Sequence, residues 1–176
     1  MPQTSDASFV RLPPPVLEAL LDGDLAAASA RSGVALPACF LEEAWLWRLR
    51  LDQVRADPAA QDWVVRALVV APEGVVGHAG FHGPPDGDGA VEVAYSVVPH
   101  LRGRGYAHAA LAALVAEAAA SPQVRVVRAS VSPDNAASLA VVRTAGFVHV
   151  GEQEDEQDGL ELVHELDVRA AGQPTV

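Results

Sequence analysis

Residues 102–107, Arg-Gly-Arg-Gly-Tyr-Ala, are a glycine turn between an apolar run and an alanine-rich one, and chemistry is expected at that boundary. Upstream, Val93 to Val98 reads as a strand that stops at Pro99; downstream the chain runs into a helix. Such a turn leaves backbone N–H groups free beside the positive end of a helix dipole, which is an arrangement that binds phosphate. Gly103 and Gly105 carry no side chain to hold a pyrophosphate away, and both tolerate positive φ. On these six residues alone, an ordinary strand-to-helix connection remains open. Glu92, at the start of the same strand run, and His82, at the end of the preceding one, are groups that could move protons. His78 and His82 share a strand face, but no third ligand accompanies them, so no metal site is expected. Cys39 has no visible activating partner, and as the single cysteine it rules out an internal disulfide.

Two familiar phosphate loops are excluded. A P-loop ends in Gly-Lys-Ser/Thr, and the chain contains no lysine. The dinucleotide pattern Gly-x-Gly-x-x-Gly fails at His108, and no early βαβ unit surrounds it. What remains is Arg-x-x-Gly-x-Ala. Downstream come Ser132-Pro133-Asp134-Asn135-Ala136-Ala137-Ser138 and then Ala145-Gly146-Phe147. In this order and spacing the two blocks resemble the acyl-CoA loop and second block of the GNAT superfamily of N-acetyltransferases. The resemblance covers roughly residues 64–167. In its second block, Asn-x-x-Ser, it is nearest to the branch that acetylates ribosomal-protein N-termini.

The resemblance implies a site. The backbone amides of Arg102, Gly103, Arg104, Gly105, Tyr106 and Ala107 would hold the pyrophosphate of acetyl-CoA as cosubstrate. Val97 would pair with the pantetheine arm, and Asn135 would face it; read as a residue alone, Asn135 is a helix cap with no ligand, and it is the paired second block that turns it toward the CoA arm. Amine acylation needs a base for the amine, donors for the oxyanion and a proton for the leaving thiolate. Glu92 stands where several family members carry a glutamate and is the candidate base, with a structural role in the strand as the alternative and His82 as a rival base. Alternation places Glu92 on one face with Ala94, Ser96 and Val98. The version with a glutamate five residues before the asparagine is absent, since that position is Ser130. Many family members place a proton-donating tyrosine four residues before Gly146; here it is Val142. Ser138, one helical turn after Asn135, is therefore assigned to the thiolate, against a hydroxyl that merely bonds back to its helix.

These residues need elements to hold them. Phe9 to Leu12 reads as a short strand closed by Pro13-Pro14-Pro15, followed by helices at 16–21 and, capped by Asp24, to Ser29 or Arg31. Phe40 to Arg55 has helical spacing, with Leu41, Trp45 and Leu49 at the turns, and Asp57-Pro58 ends it. Trp45 and Trp47 should face different sides, one toward an acceptor pocket and one toward the core. Trp63–Val70, Val75–His82 and Ala90–Val98 form an antiparallel meander; a helix at 104–120 crosses to a parallel strand at 124–131. A helix at 135–145 ends at Gly146, and strands at 147–151 and 159–168 flank an acidic loop, residues 152–158, that could draw in a cation.

The resemblance thus implies an α/β (α+β) fold: a mixed central sheet of six to seven strands, an antiparallel meander and then a splayed parallel pair, flanked by helices. One domain, residues 1–176, is expected, with 1–62 on the acceptor side, 63–168 as the acyl-CoA core and a loose tail at 169–176. Hydrophobic residues make up 50% of the 176, which suits a globular chain. No apolar run nears a membrane span and no signal peptide is visible, so a cytoplasmic location is the default. A net charge of −11 argues against general nucleic-acid binding and suits a cationic amine acceptor, a small molecule or a protein N-terminus; it also suits mere solubility. A homodimer is left open. The activity expected is acyl-CoA-dependent N-acyltransfer. A CoA-binding regulatory module without turnover is the rival, and a structural domain with an empty loop is the third alternative.

Overall fold

The computed structural model describes residues 7–157 and 159–169. The polar residues 1–6, Asp158 of the acidic segment and the tail from Ala170 lie outside the described residues. Seven strands form one sheet in the order β1-β2-β3-β4-β5-β7-β6. They are β1 Ala7–Val10, β2 Arg66–Val70, β3 Gly74–Phe81, β4 Ala90–Val97, β5 Val126–Val131, β6 Val148–Asp155 and β7 Gly159–Asp167. Among the described residues only β4 and β5 run parallel; every other neighbouring pair is antiparallel.

Period-two alternation splits β2 and β4 between two cores. In β2, Leu68 packs with Phe81, Leu111, Leu114 and Val142, on the face covered by α4 Tyr106–Ala120 and α5 Ala136–Thr144. Its neighbour Ala67 packs with Leu17, Trp47 and Leu51, on the face covered by α1 Pro14–Leu21, α2 Leu25–Ser32 and α3 Ala44–Ala56. In β4 the odd positions Val91, Val93 and Val97 are buried, whereas Glu92, Ala94 and Ser96 are only partly so. Gly77 of β3 opposes Val97, and a Cβ there would stand 2.0 Å from the Ser96 carbonyl oxygen, so the two strands meet this closely only because of glycine.

Several local expectations hold, and their deviations have physical causes. Asp24 caps α2 by accepting from the Ala27 amide at 2.8 Å. The first helix starts earlier than expected, at Pro14, since proline is at ease in the first turn. The stretch before α3 is a 3₁₀ turn, Ala38–Glu43, and the Trp45/Leu49 pair proves to be the exposed face of α3, with Leu46, Trp47, Arg50, Leu51 and Val54 inward. Trp47 is fully buried, and its indole N–H donates to the Phe40 carbonyl. The helix expected from Arg104 begins at Tyr106, because Gly105 is left-handed (φ 87°).

The acidic loop is a correction. Residues 152–155 belong to β6 and pair with β7 (Glu152 with Leu162, Gln153 with Glu161, Glu154 with Leu160, Asp155 with Gly159). Only the tip beyond is a turn, where Asp155 accepts from the Gln157 amide at 2.7 Å. Charge does not bar a strand from pairing when its solvent face is free. The expected loose tail is anchored at its first residue, since Arg169 donates to the Ser121 carbonyl at 2.8 Å.

Candidate active site

The parallel pair gives the site its shape. β4 and β5 are in register only at Ala90–Val126, Val91–Val127 and Glu92–Arg128, after which they part. Beyond that point β5 continues to pair with β7 on its other side. The His82 amide donates to the Glu92 carbonyl and the Val98 amide to the Val76 carbonyl, so even-numbered residues of β4 direct their main chain toward β3. Beyond the last rung, the peptide groups of Tyr95 and Val97 therefore face the opening wedge. One of these groups is engaged from within: the Val97 carbonyl accepts from Arg102 Nε at 3.1 Å. Pro99 then opens a single 3₁₀ turn, Pro99–Leu101, that carries the chain out of the sheet.

At the wide end of the wedge lies the glycine turn. The Arg102 amide donates back to the Pro99 carbonyl at 3.3 Å and the Ala109 amide to the Gly105 carbonyl at 3.1 Å. Between them, among the described residues, the amides of Gly103 to His108 meet no protein acceptor. Gly103 (φ 74°) and Gly105 (φ 87°) hold the turn, and α4 carries no side-chain cap that would occupy its first amides. These are the free donors of a helix N-terminus.

Two cavities meet beside this turn. A groove of about 490 Å³ runs along the turn and α5, bordered by Val97, Arg102, Gly103, Gly105, Tyr106 and Ala107. A larger cavity of about 650 Å³ opens on the α3 face, where Glu43, Trp45, Glu92, Asp155 and Glu161 contribute. Tyr95, Ser96, Asn135 and Ser138 border both. Sequence-predicted residues thus divide among the groove, the larger cavity and the junction. Glu92 belongs to the larger cavity alone, and Asn135 and Ser138 stand at the junction. Arg104 borders neither; it lies with Glu73 beside the Tyr106 hydroxyl. Asn135 does act as a cap, its Oδ1 accepting from the Ser138 amide at 3.0 Å.

Glu92 Oε2 is 3.8 Å from His82 Nδ1. The imidazole is half-exposed, yet surrounding protein mass pushes its pKa below the ordinary value; Glu92 pulls it back and Arg50 pushes it further down. His82 is therefore neutral near pH 7. Its carbonyl accepts from Arg50 Nη1 (3.0 Å) and Gln53 Nε2 (2.7 Å), which ties α3 to the end of β3. Period two turns Gln153 and Asp155 of β6 into the cavity while Glu152 and Glu154 do not line it. His78 is buried, holds Glu43 at 2.8 Å and packs its ring edge-on against Phe40 and Trp47. Burial, and then the nearby Glu43 charge, push the Cys39 thiol pKa up, away from nucleophilic use. Among the described residues no three metal-ligating side chains gather.

Tyr95 is the residue that sequence reasoning missed. Its ring packs against the α4 core, and burial raises its pKa while the Ser138 hydroxyl nearby lowers it again. The two hydroxyls do not reach hydrogen-bond geometry, and Tyr95 Oη is enclosed without a partner among the described residues. A signal was present: along Val91, Val93, Tyr95 and Val97, only one side chain on the core-facing phase is polar.

The profile of the acetyltransferase (GNAT) domain matches residues 22–148. A comparison with curated protein sequences found no match. Solved structures share the fold at low identity. A GNAT-family acetyltransferase from Bordetella pertussis is 22% identical with a TM-score of 0.63, over 93% of this chain and 97% of that one. RimL, a ribosomal L7/L12 alpha-N-protein acetyltransferase in complex with coenzyme A, is 15% identical with a TM-score of 0.66, over 96% and 98%. The microcin C7 self-immunity acetyltransferase MccE, in complex with acetyl-CoA and AMP, is 12% identical with a TM-score of 0.63, over 92% of each. With the profile spanning most of the chain and the splayed parallel pair at its centre, this protein belongs to the GNAT acetyltransferase family.

Proposed function

We propose that this chain transfers an acyl group, acetyl in the first instance, from acyl-CoA to a primary amine by direct attack on the thioester. The observation that carries this reading is the meeting of the groove and the larger cavity at Tyr95, Ser96, Asn135 and Ser138, with unpaired amides at one end and carboxylates at the other. The amides of residues 103–108 suit a diphosphate, and Gly103 leaves open space where a side chain would stand, since a Cβ there meets nothing within 4 Å. Tyr95 and Val97 offer main-chain groups to an extended pantetheine arm, with the Val97 carbonyl already engaged by Arg102.

On the acceptor side, Glu43, Glu92, Asp155 and Glu161 favour a cation, and the exposed Trp45 and Leu49 offer an apolar rim. The acceptor class proposed is therefore an ammonium-bearing molecule with an apolar portion. An ammonium must lose a proton before it can attack. Glu92 takes that proton, and His82, neutral and reaching solvent, passes it outward. Holding amine and thioester on either side of one junction supplies orientation that two freely diffusing reactants lack.

The test is thiol release from acetyl-CoA against a panel of amines, run beside a thermal-shift titration with CoA. Stabilisation by CoA with amine-dependent thiol release is the expected result. Stabilisation without release from any amine would favour a CoA-binding module without turnover, and no stabilisation at all would sink both.

A further inference from the structure

We propose that the amine acceptor carries two positive groups separated by an apolar chain, and that Glu43 receives the one that does not react. This substrate class rests on the acyl-transfer reading above. The larger cavity holds two carboxylates that each lean on an imidazole. Glu43 Oε2 is 2.8 Å from Nε2 of the buried His78, and Glu92 Oε2 is 3.8 Å from His82 Nδ1. The Glu43 and Glu92 side chains keep 31% and 22% of their surface exposed, so both carboxylates reach the cavity. Among the described residues Glu43 has no arginine partner, and its Oε1 meets no protein donor. One of its oxygens is thus pinned from beneath, and the other is left for a ligand.

The sheet sets the spacing between the two. His78 stands opposite Ser96, and the His82 amide donates to the Glu92 carbonyl, so the pairs mark two rungs of the β3–β4 ladder on the face toward α3. Four residues at about 3.3 Å each put the imidazole anchors about 13 Å apart, and side chains leaning inward leave the carboxylates on the order of 10 Å apart. Ala94 takes the rung between, while Leu46, Leu49 and Val65 border the same cavity, so the middle of a ligand meets apolar side chains. A short monoamine satisfies one carboxylate and leaves the other unpaired in a partly dry cavity; an extended dication satisfies both. Glu92 takes the proton of the reacting end, and the far end stays an ammonium against Glu43. His78 is the positioning residue that holds Glu43 there. An extended chain gains about 3.5 Å for every three bonds, so a span on the order of 10 Å is about nine bonds, the nitrogen-to-nitrogen path of 1,8-diaminooctane.

The experiment measures thiol release from acetyl-CoA with octylamine, 1,8-diaminooctane, butylamine and 1,4-diaminobutane, for wild type, Glu43→Gln and His78→Phe. Wild type is expected to prefer the long diamine over octylamine by about tenfold or more in kcat/KM, with the difference in KM. The short diamine should gain no more over butylamine than its two equivalent ends supply. Glu43→Gln should cut the long-diamine preference to about threefold or less. His78→Phe keeps a ring against Phe40 and Trp47 and should lose the same preference, and the double substitution should lose no more. If wild type turns over octylamine as efficiently as the long diamine, or if the preference survives Glu43→Gln, the two-charge acceptor is overturned and acyl transfer stands. A preference that survives His78→Phe overturns the holding role of His78, and an equal gain for the short diamine refutes the spacing. If no amine releases thiol, the acyl-transfer reading has failed first and this one falls with it. The chain-length comparison needs wild type alone, so a variant that does not fold leaves the refuting result within reach.

Discussion

Replacing Glu92 by Gln removes a proton acceptor and almost nothing else. The side chain keeps its length, the main chain keeps the last rung of the parallel ladder opposite Arg128, and the amide still reaches toward His82. The contact it alters spans 3.8 Å to an imidazole that is half-exposed and neutral near pH 7, so no ion pair is lost there and the stability cost stays below about 1 kcal/mol. The kinetic cost is larger. Losing a positioned general base removes about 10²–10⁴ in rate, or roughly 3–5 kcal/mol of barrier lowering at about 1.4 kcal/mol per decade. Glu92 borders the larger cavity and not the groove, so CoA affinity should stay within about twofold while kcat collapses. Steady-state thiol release gives kcat and KM, and calorimetry with CoA gives Kd. Turnover that survives intact would exclude Glu92 as the base. A CoA affinity that falls as far as kcat would mean that Glu92 holds the wedge open instead of moving a proton.

Gly105→Val places a β-branched residue at a φ of 87°, which costs about 1–2 kcal/mol or more locally and distorts the turn that presents the free amides; the CoA thermal shift should vanish while the fold persists by circular dichroism. Glu117→Ala strips Arg66 of both carboxylate contacts (3.0 Å each) and leaves its guanidinium over the Phe9 ring; Arg66 is almost buried but Glu117 is partly exposed, so a loss of about 1–3 kcal/mol in urea unfolding is expected, against under about 0.5 kcal/mol for Glu18→Ala at the exposed Arg55 pair. His164 is buried with its pKa pushed down, first by desolvation, then partly restored by the Leu162 carbonyl and lowered again by His149 and Arg143. The unfolded chain takes up that proton near pH 6.5, whereas the folded chain does so only at lower pH. Stability is thus fully present above about pH 6.5 and is lost as pH falls, by up to about 1.4 kcal/mol per pH unit; His164→Leu should flatten that slope in denaturant titrations between pH 5 and 7.

What the sequence determined is what depends on near neighbours. Glycine's access to positive φ sets the 102–107 turn, and a side chain reaching an amide three residues on makes Asp24 and Asn135 caps. Period-two alternation sorted Glu92 from Val91 and Val93, and the strand order of the meander with its crossover followed from short connections. The tertiary structure decided where those phases point. Trp45 and Leu49 repeat like a core stripe yet border the larger cavity, because Phe40 and Trp47 already fill the space beneath α3. The acidic run became half of a hairpin because β7 supplied a partner. Tyr95 is a single polar interruption in a valine-rich strand until β5 diverges and α5, some forty residues later, brings Ser138 beside it. Local chemistry writes turns, caps and faces. A junction between two cavities exists only once distant segments have packed, since the gap that joins them is a place where strands fail to pair.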